Sequence, residues 1–205
     1  HMVDVGQGDA IIIELPDGSN VLIDGGKSSE SEKLLTYIDS LDIEVFDVVI
    51  LTHSDEDHIG GIPFLLQNIN IPVIYTPNIA SKLIKNKLEE RNIPHPKMVT
   101  INEELIIKTK HFNIEFFTTT HSIPDSFGMA IKTRLGYVVN TGDFKFDFTP
   151  IGDRADYYKM AKLGHEGVLC LLADSTNAMI TNFSLSEKKI GHNLMDLFQT
   201  TKGRI

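Results

Sequence analysis

Residues 46–51 read FDVVIL, an apolar run of the buried-strand type. It leads through Thr52 straight into His53-Ser54-Asp55-Glu56-Asp57-His58. Four of these side chains, His53, Asp55, Asp57 and His58, are natural metal donors within six positions. Imidazole nitrogens and carboxylate oxygens suit zinc, and mixed sets suit manganese and iron as well. A strand end followed by a tight loop aims alternate side chains into one pocket, and His53, Asp55 and Asp57 lie two apart with His58 adjacent. That spacing can feed two ions lying about 3.5–4 Å apart. The plain alternative is an exposed acidic loop that holds two histidines.

Two further strand ends carry candidates. His121 follows Thr119-Thr120, and Asp143 follows Asn140-Thr141-Gly142. Sites are usually built where a strand gives way to a loop. Taken alone, each is an ordinary polar residue, so their meaning comes from the combination. Asp24, before Gly25-Gly26, closes an earlier strand in the same manner.

The remaining pattern gives the layers. Residues 10–15 and 20–24 form a hairpin around Pro16-Asp17-Gly18-Ser19, where proline presets φ and glycine permits positive φ. Helices are expected over 29–41, with Ser29 and Glu32 at capping-box spacing, and over 59–69, 78–91 and 155–163. A last helix starts at Ser184, with a second capping box to Glu187. Strands are expected over 72–76, 105–108, 113–118, 128–133 and 137–141. Residues 168–173 read as a buried strand with Cys170 as a buried thiol. Strands, then alternating helices and strands, then more strands point to one layered α/β domain over residues 1–205.

Composition narrows the function. Nineteen basic side chains face 28 acidic ones, a net charge of −9, which repels phosphate polyanions at long range. A nucleic-acid partner then needs a local basic surface, a metal or a second domain. Lys145, Lys188 and Lys189 are the only hints of phosphate contacts. The single cysteine excludes a disulfide framework and a cysteine-only zinc cluster. No apolar run reaches the roughly 18–20 residues of a membrane span, and His1-Met2 opens no signal peptide. The expectation is a cytoplasmic protein with no membrane partner.

The set His53-x-Asp55-x-Asp57-His58, then His121, then Asp143, with Asp24-Gly25-Gly26 upstream, resembles the metallo-β-lactamase superfamily. Residues 58–205 are similar to bacterial ribonuclease J, of the β-CASP group. The matching strings are HIGGIPFLL at 58–66, HSIPDSFG at 121–128, TGDFKFDF at 141–148 and GVLCLLADSTN at 167–177. Residues 2–57 instead resemble the metallo-β-lactamase domain of competence DNA-uptake proteins, through DVGQGDA at 4–10 and LIDGG at 22–26. Asp55 also fits that branch, since ribonuclease J usually carries histidine there. The chain reads as a splice of two branches, either a chimera or a divergent natural member.

The resemblance implies an α/β fold, the metallo-β-lactamase αββα sandwich, in truncated or partial form. The β-CASP insertion and the C-terminal return are expected to be absent, and with them a final histidine for the second metal. It implies two divalent metals, zinc first, with manganese favoured by the oxygen donor at Asp55. His53, Asp55 and His121 would hold one metal, Asp57 and His58 the other, and Asp143 would bridge both. Asp24 would orient the metal-binding loop from behind. Asp57 and Asp143 would be catalytic, Asp57 by orienting a metal-activated water. His165 and His192 read as a helix-end cation and a solvated residue, not as replacement ligands.

The implied function is a ribonuclease J-like metal-dependent hydrolase of phosphodiesters, holding RNA or another phosphodiester weakly. The alternative is a folded metal-binding fragment, or a chimera, with little or no catalysis. A thioester or lactam hydrolase is a third reading, against which the downstream strings speak.

Overall fold

The isoleucine-rich run Ile11–Glu14 (β1) turns at Pro16-Asp17-Gly18-Ser19 and pairs antiparallel with Asn20–Ile23 (β2). In the turn, the Asp17 carboxylate accepts from the Ser19 amide and hydroxyl. These coordinates belong to a computed structural model that describes residues 1–204. The sheet then grows by parallel addition of Val48–Ile50 (β3), Val73–Thr76 (β4) and Lys97–Thr100 (β5), in the order β1-β2-β3-β4-β5. Parallel neighbours require crossovers. Ser31–Asp39 (α1), Glu56–Ile59 (α2), Ile62–Asn68 (α3) and Asn78–Glu90 (α4) supply them.

The second sheet is a meander of Ile106–Lys108 (β6), Asn113–Thr119 (β7), Ser126–Lys132 (β8) and Tyr137–Asn140 (β9). Tyr157–Glu166 (α5) then carries the chain to Val168–Leu172 (β10), which pairs parallel with β9 at the sheet edge. Glu187–Thr200 (α6) follows.

Strand alternation sorts the core into layers, because successive side chains face opposite ways. Val21 and Ile23 of β2, Ile50 of β3 and Met129 and Ile131 of β8 meet between the sheets. Leu22 and Val49 face the other way and pack with Leu34, Ile38, Leu65, Ile84 and Leu88 of the helices. Ala130 and Val139 face outward from the second sheet onto Leu163 of α5. The result is the αββα sandwich that the resemblance implied.

Several elements depart from the sequence reading. The expected helix over 59–69 shrinks to α3, and Ile59 instead ends the separate turn α2 ahead of Gly60-Gly61. A Cβ at Gly61 would lie 2.1 Å from the Gly25 carbonyl oxygen, so this close packing onto the end of β2 needs glycine. Neither expected capping box forms: α1 starts after a 3₁₀ turn at Ser28–Glu30, and α6 is capped by Ser186, whose hydroxyl accepts from the Lys189 amide. Strand β5 was not anticipated, because KMVT directly after Pro94-His95-Pro96 carries little apolar signal.

The larger correction concerns β10, expected to be buried. Leu169 is 59% and Leu171 60% exposed, and the Cys170 thiol is exposed too. The strand lies at a sheet edge, and no layer among the described residues covers it. Leu194, Met195, Leu197 and Phe198 of α6 are likewise exposed.

Candidate metal centre

One end of the sandwich collects the ends of four strands. Parallel strands β2 and β3 deliver Asp24 and Thr52-His53. Strands β7 and β9 both run antiparallel to β8, so they end on the same side and deliver His121 and Asp143. The Phe127 amide donates to the Thr52 carbonyl at 2.9 Å and joins the two sheets at this edge.

The side chains converge around Asp143. Its Oδ1 lies 3.5 Å from His58 Nε2, while its Oδ2 lies 3.9 Å from both His53 Nε2 and His121 Nε2. Asp55 Oδ2 lies 3.6 Å from His53 Nε2 and 3.2 Å from His121 Nε2. Two donor groups result, His53 with Asp55 and His121, and His53 with His58 and Asp143. The two oxygens of Asp143 therefore face different imidazoles, the arrangement a carboxylate adopts when it spans two cations.

Asp24 sets the orientation of both buried histidines. It is fully buried, and its Oδ1 accepts from the Thr52 amide at 2.9 Å. Its Oδ2 accepts from the Thr52 hydroxyl at 2.6 Å and from His58 Nδ1 at 2.9 Å. Because the Thr52 hydroxyl donates to Asp24, it accepts from His53 Nδ1, 2.9 Å away. Both Nδ1 atoms thus carry hydrogen, and both Nε2 atoms turn to Asp143. His53 Nε2 is buried with no hydrogen-bond partner. A buried, unbonded nitrogen is costly unless something binds it. Three imidazoles with carboxylate oxygens form a donor set that fits a divalent cation such as zinc or manganese.

The His53 and His58 rings stand 4.0 Å apart, centroid to centroid, and cannot both become imidazolium cheaply. Burial, followed by the neighbouring His58 charge, lowers the His53 pKa to about 4. Burial also works against the His58 imidazolium, but the Asp24 carboxylate outweighs it and lifts that pKa to about 9. Burial holds Asp143 above the ordinary carboxylate value, against the pull of His58.

At pH 7 the metal-free pair therefore carries one extra proton, on His58 Nε2, while His53 is neutral. A cation at Nε2 must displace it. Metal uptake at pH 7 is expected to release about one proton per chain from this pair, with affinity rising as pH climbs towards 9. Calorimetric titration in buffers of different ionisation enthalpy measures this, and uptake without proton release would contradict it. Stability of the metal-free chain runs the opposite way. The folded pKa of His58 lies above the ordinary histidine value of 6.5, so the stability it lends is full below 6.5 and is lost as pH rises through about 9.

A cavity of about 340 Å³ opens beside this centre, lined in part by Asp9, Asp57, His58, Asn140, Asp143 and Asp174. Asp57 lies on its wall, in the first turn of α2, but stands outside the donor groups. His192 is exposed on α6 and bonds the Lys188 carbonyl, and His165 is exposed at the end of α5, so neither reaches the centre. Lys145 pairs with Glu187 at 3.2 Å and with Asp147 at 3.6 Å, which spends its charge internally.

The sequence reading missed two residues, Thr52 and Asp9. Asp9, Asp24 and His58 bring one donor atom each within 4.8 Å of one another. Burial, then the nearby Asp24 charge, pushes the Asp9 carboxyl up to about 6. The signal for Asp9 lay in the glycine before it. Gly8 has φ +99°, and a Cβ there would sit 1.9 Å from the Asp57 carbonyl oxygen. Only glycine lets this loop lie so close to α2.

Residues 3–163 match the profile described as the Metallo-beta-lactamase superfamily. The chain belongs to that superfamily. Ribonuclease J 1 of Streptococcus pyogenes serotype M3 is 51% identical over 158 residues, covering 77% of this chain and 28% of its own length. Ribonuclease J of Mycoplasma pneumoniae is 38% identical over 200 residues, covering 92% of this chain and 35% of its own length. The chain thus spans 28% to 35% of the length of these two relatives.

Among solved structures, the metallo-beta-lactamase fold protein YhfI from Bacillus subtilis is 25% identical with a TM-score of 0.51, over 66% of this chain and 55% of that one. A mutant metallo-beta-lactamase from Cronobacter sakazakii shares only the fold, at 12% identity. Its TM-score is 0.61, over 98% of this chain and 93% of that one. No helix among the described residues is long and apolar enough to cross a membrane.

Proposed function

We propose that this metallo-β-lactamase domain is the metal-binding part of a phosphodiesterase of ribonuclease J type, with RNA as its substrate. The observation that carries the reading is the split of Asp143, with one carboxylate oxygen towards His58 and the other towards His53 and His121. The ribonuclease J relatives supply the substrate class. Zinc is the first choice of ion, and the carboxylate of Asp55 keeps manganese as the second.

Divalent cations held by these residues would supply a water of lowered pKa and stabilisation of negative charge on the phosphoryl oxygens. The chain's own groups do the rest. His53, Asp55 and His121 would hold one ion and His58 the other, with Asp143 shared. Asp24 and Thr52 keep both Nε2 atoms aimed inward, so little movement of the rings would accompany binding. Asp57, on the cavity wall, would orient the attacking water and take its proton on the carboxylate.

The exposed apolar side chains of β10 and α6 favour a second reading, a module that holds metal but turns RNA over poorly. Water then has open access to a flank that a working site would close off. The test is a panel of RNA, a chromogenic phosphodiester and a β-lactam, each assayed on metal-loaded protein. Cleavage of RNA or the phosphodiester with the lactam intact is the expected result. Full metal loading with no turnover would establish the second reading, and cleavage of the lactam alone would refute both.

A further inference from the structure

We propose that Asp9, from the loop ahead of β1, is a ligand of the cation held at His58. The inference rests on the two-ion reading above and adds a residue that the metal-binding motif does not contain.

The carboxylates around His58 differ in how fully they are used. Asp24 is saturated by the Thr52 amide, the Thr52 hydroxyl and His58 Nδ1. Asp174 accepts from the Thr176 amide and hydroxyl. Asp9 is half-buried, and among the described residues its neighbours act on it by charge, with no hydrogen bond to its carboxylate. It lines the same cavity as His58, Asp57 and Asp143.

His58 supplies an independent reason to expect a ligand there. The residue is 1% exposed and its Nδ1 is committed to Asp24. Its Nε2 is left with only Asp143 Oδ1, at 3.5 Å. A buried imidazole that lines the cavity, with an unbonded carboxylate within 4.8 Å of that side chain, offers a cation two donors. The backbone is built to keep Asp9 in place. Its carbonyl accepts from the Gly26 amide at 2.9 Å, and Gly8 brings the loop against Asp57.

The test titrates cobalt(II) into the full chain and into Asp9→Asn and Asp9→His, following uptake by elemental analysis and by visible absorption. The wild type is expected to take up two ions. Asp9→Asn should keep the first, at His53, Asp55 and His121, and bind the second at least about tenfold more weakly. Asp9→His should restore the second ion and shift its absorption bands, since nitrogen replaces oxygen in the coordination. Melting of the metal-free proteins guards against misfolding. Asp9→Asn removes an unpaired half-buried charge beside Asp24, so its metal-free form should melt no lower than wild type. Unchanged second-ion affinity in Asp9→Asn, or an unaltered spectrum in Asp9→His, would overturn the assignment while leaving the two-ion site intact. Uptake of a single ion by the wild type would remove the two-ion reading and this ligand with it.

Discussion

Asp24→Ala is expected to lose about 3–5 kcal/mol of stability and to bind metal about 10–100-fold more weakly. Three hydrogen bonds end on this fully buried carboxylate, and nothing else in the centre can replace it. The His58 imidazolium would be left buried without its counter-charge, and the Thr52 amide without an acceptor. Asp24 also sits at φ 54°, a left-handed conformation that aspartate tolerates better than alanine. For a chain of this size the loss corresponds to a fall in melting temperature of about 6–20 °C. Thermal denaturation of metal-free and metal-loaded protein separates the two effects. A melting temperature within about a degree of wild type would mean that the buried network does not hold the fold.

The double change His53→Ala with His58→Ala is expected to abolish metal binding altogether. Each of the two donor groups around Asp55, His121 and Asp143 contains at least one of these histidines. Removing both leaves carboxylates and the half-buried His121, a set with no buried nitrogen. The same change removes the His58 charge that faces Asp24 and Asp143, so the remaining carboxylates repel one another. Elemental analysis of protein purified without chelator is the measurement. Retention of two ions per chain would refute the ligand assignment outright.

The strand ends that build the centre were legible because they combine two local signals, an apolar β-branched run and a polar residue at the point where it stops. His53, His121 and Asp143 carry that signature, His58 was legible from its spacing to His53 and the acids between them, and the fold brings all four together. Thr52 was not legible, because a threonine between a strand and a histidine looks like any other. Only the position of Asp24 across the parallel pair β2–β3 turns its hydroxyl into a relay. Asp9 was hidden for a similar reason, since its approach to His58 depends on the contact between Gly8 and Asp57, 49 positions apart in sequence.

The misjudged burial of β10 has a different origin. The run VLCLL fits a strand covered on both faces, but composition records only what a strand could bury, not whether a layer lies over it. Strand β5 fails in the opposite sense: hydrogen bonding to β4 at the sheet edge makes it a strand despite weak apolar character.

The way the sheets meet has a consequence for the life of the protein. The helical side of the first sheet has its own core, and the second sheet packs separately against α5. The candidate ligands divide along the same line, with His53, Asp55 and His58 from the first half and His121 and Asp143 from the second. An ion bound there would act as a clasp between two halves joined also by the inter-sheet core, the strand-end amide of Phe127 and contacts such as the Ile79 amide on Asp125. Unlike a disulfide, the clasp is reversible, and its strength is set by the free-ion concentration. An ion at a hundred times its dissociation constant adds about 2.7 kcal/mol to the folded state. The persistence of such a chain would then follow the supply of metal around it, so scarcity would shorten its survival as well as silence its chemistry.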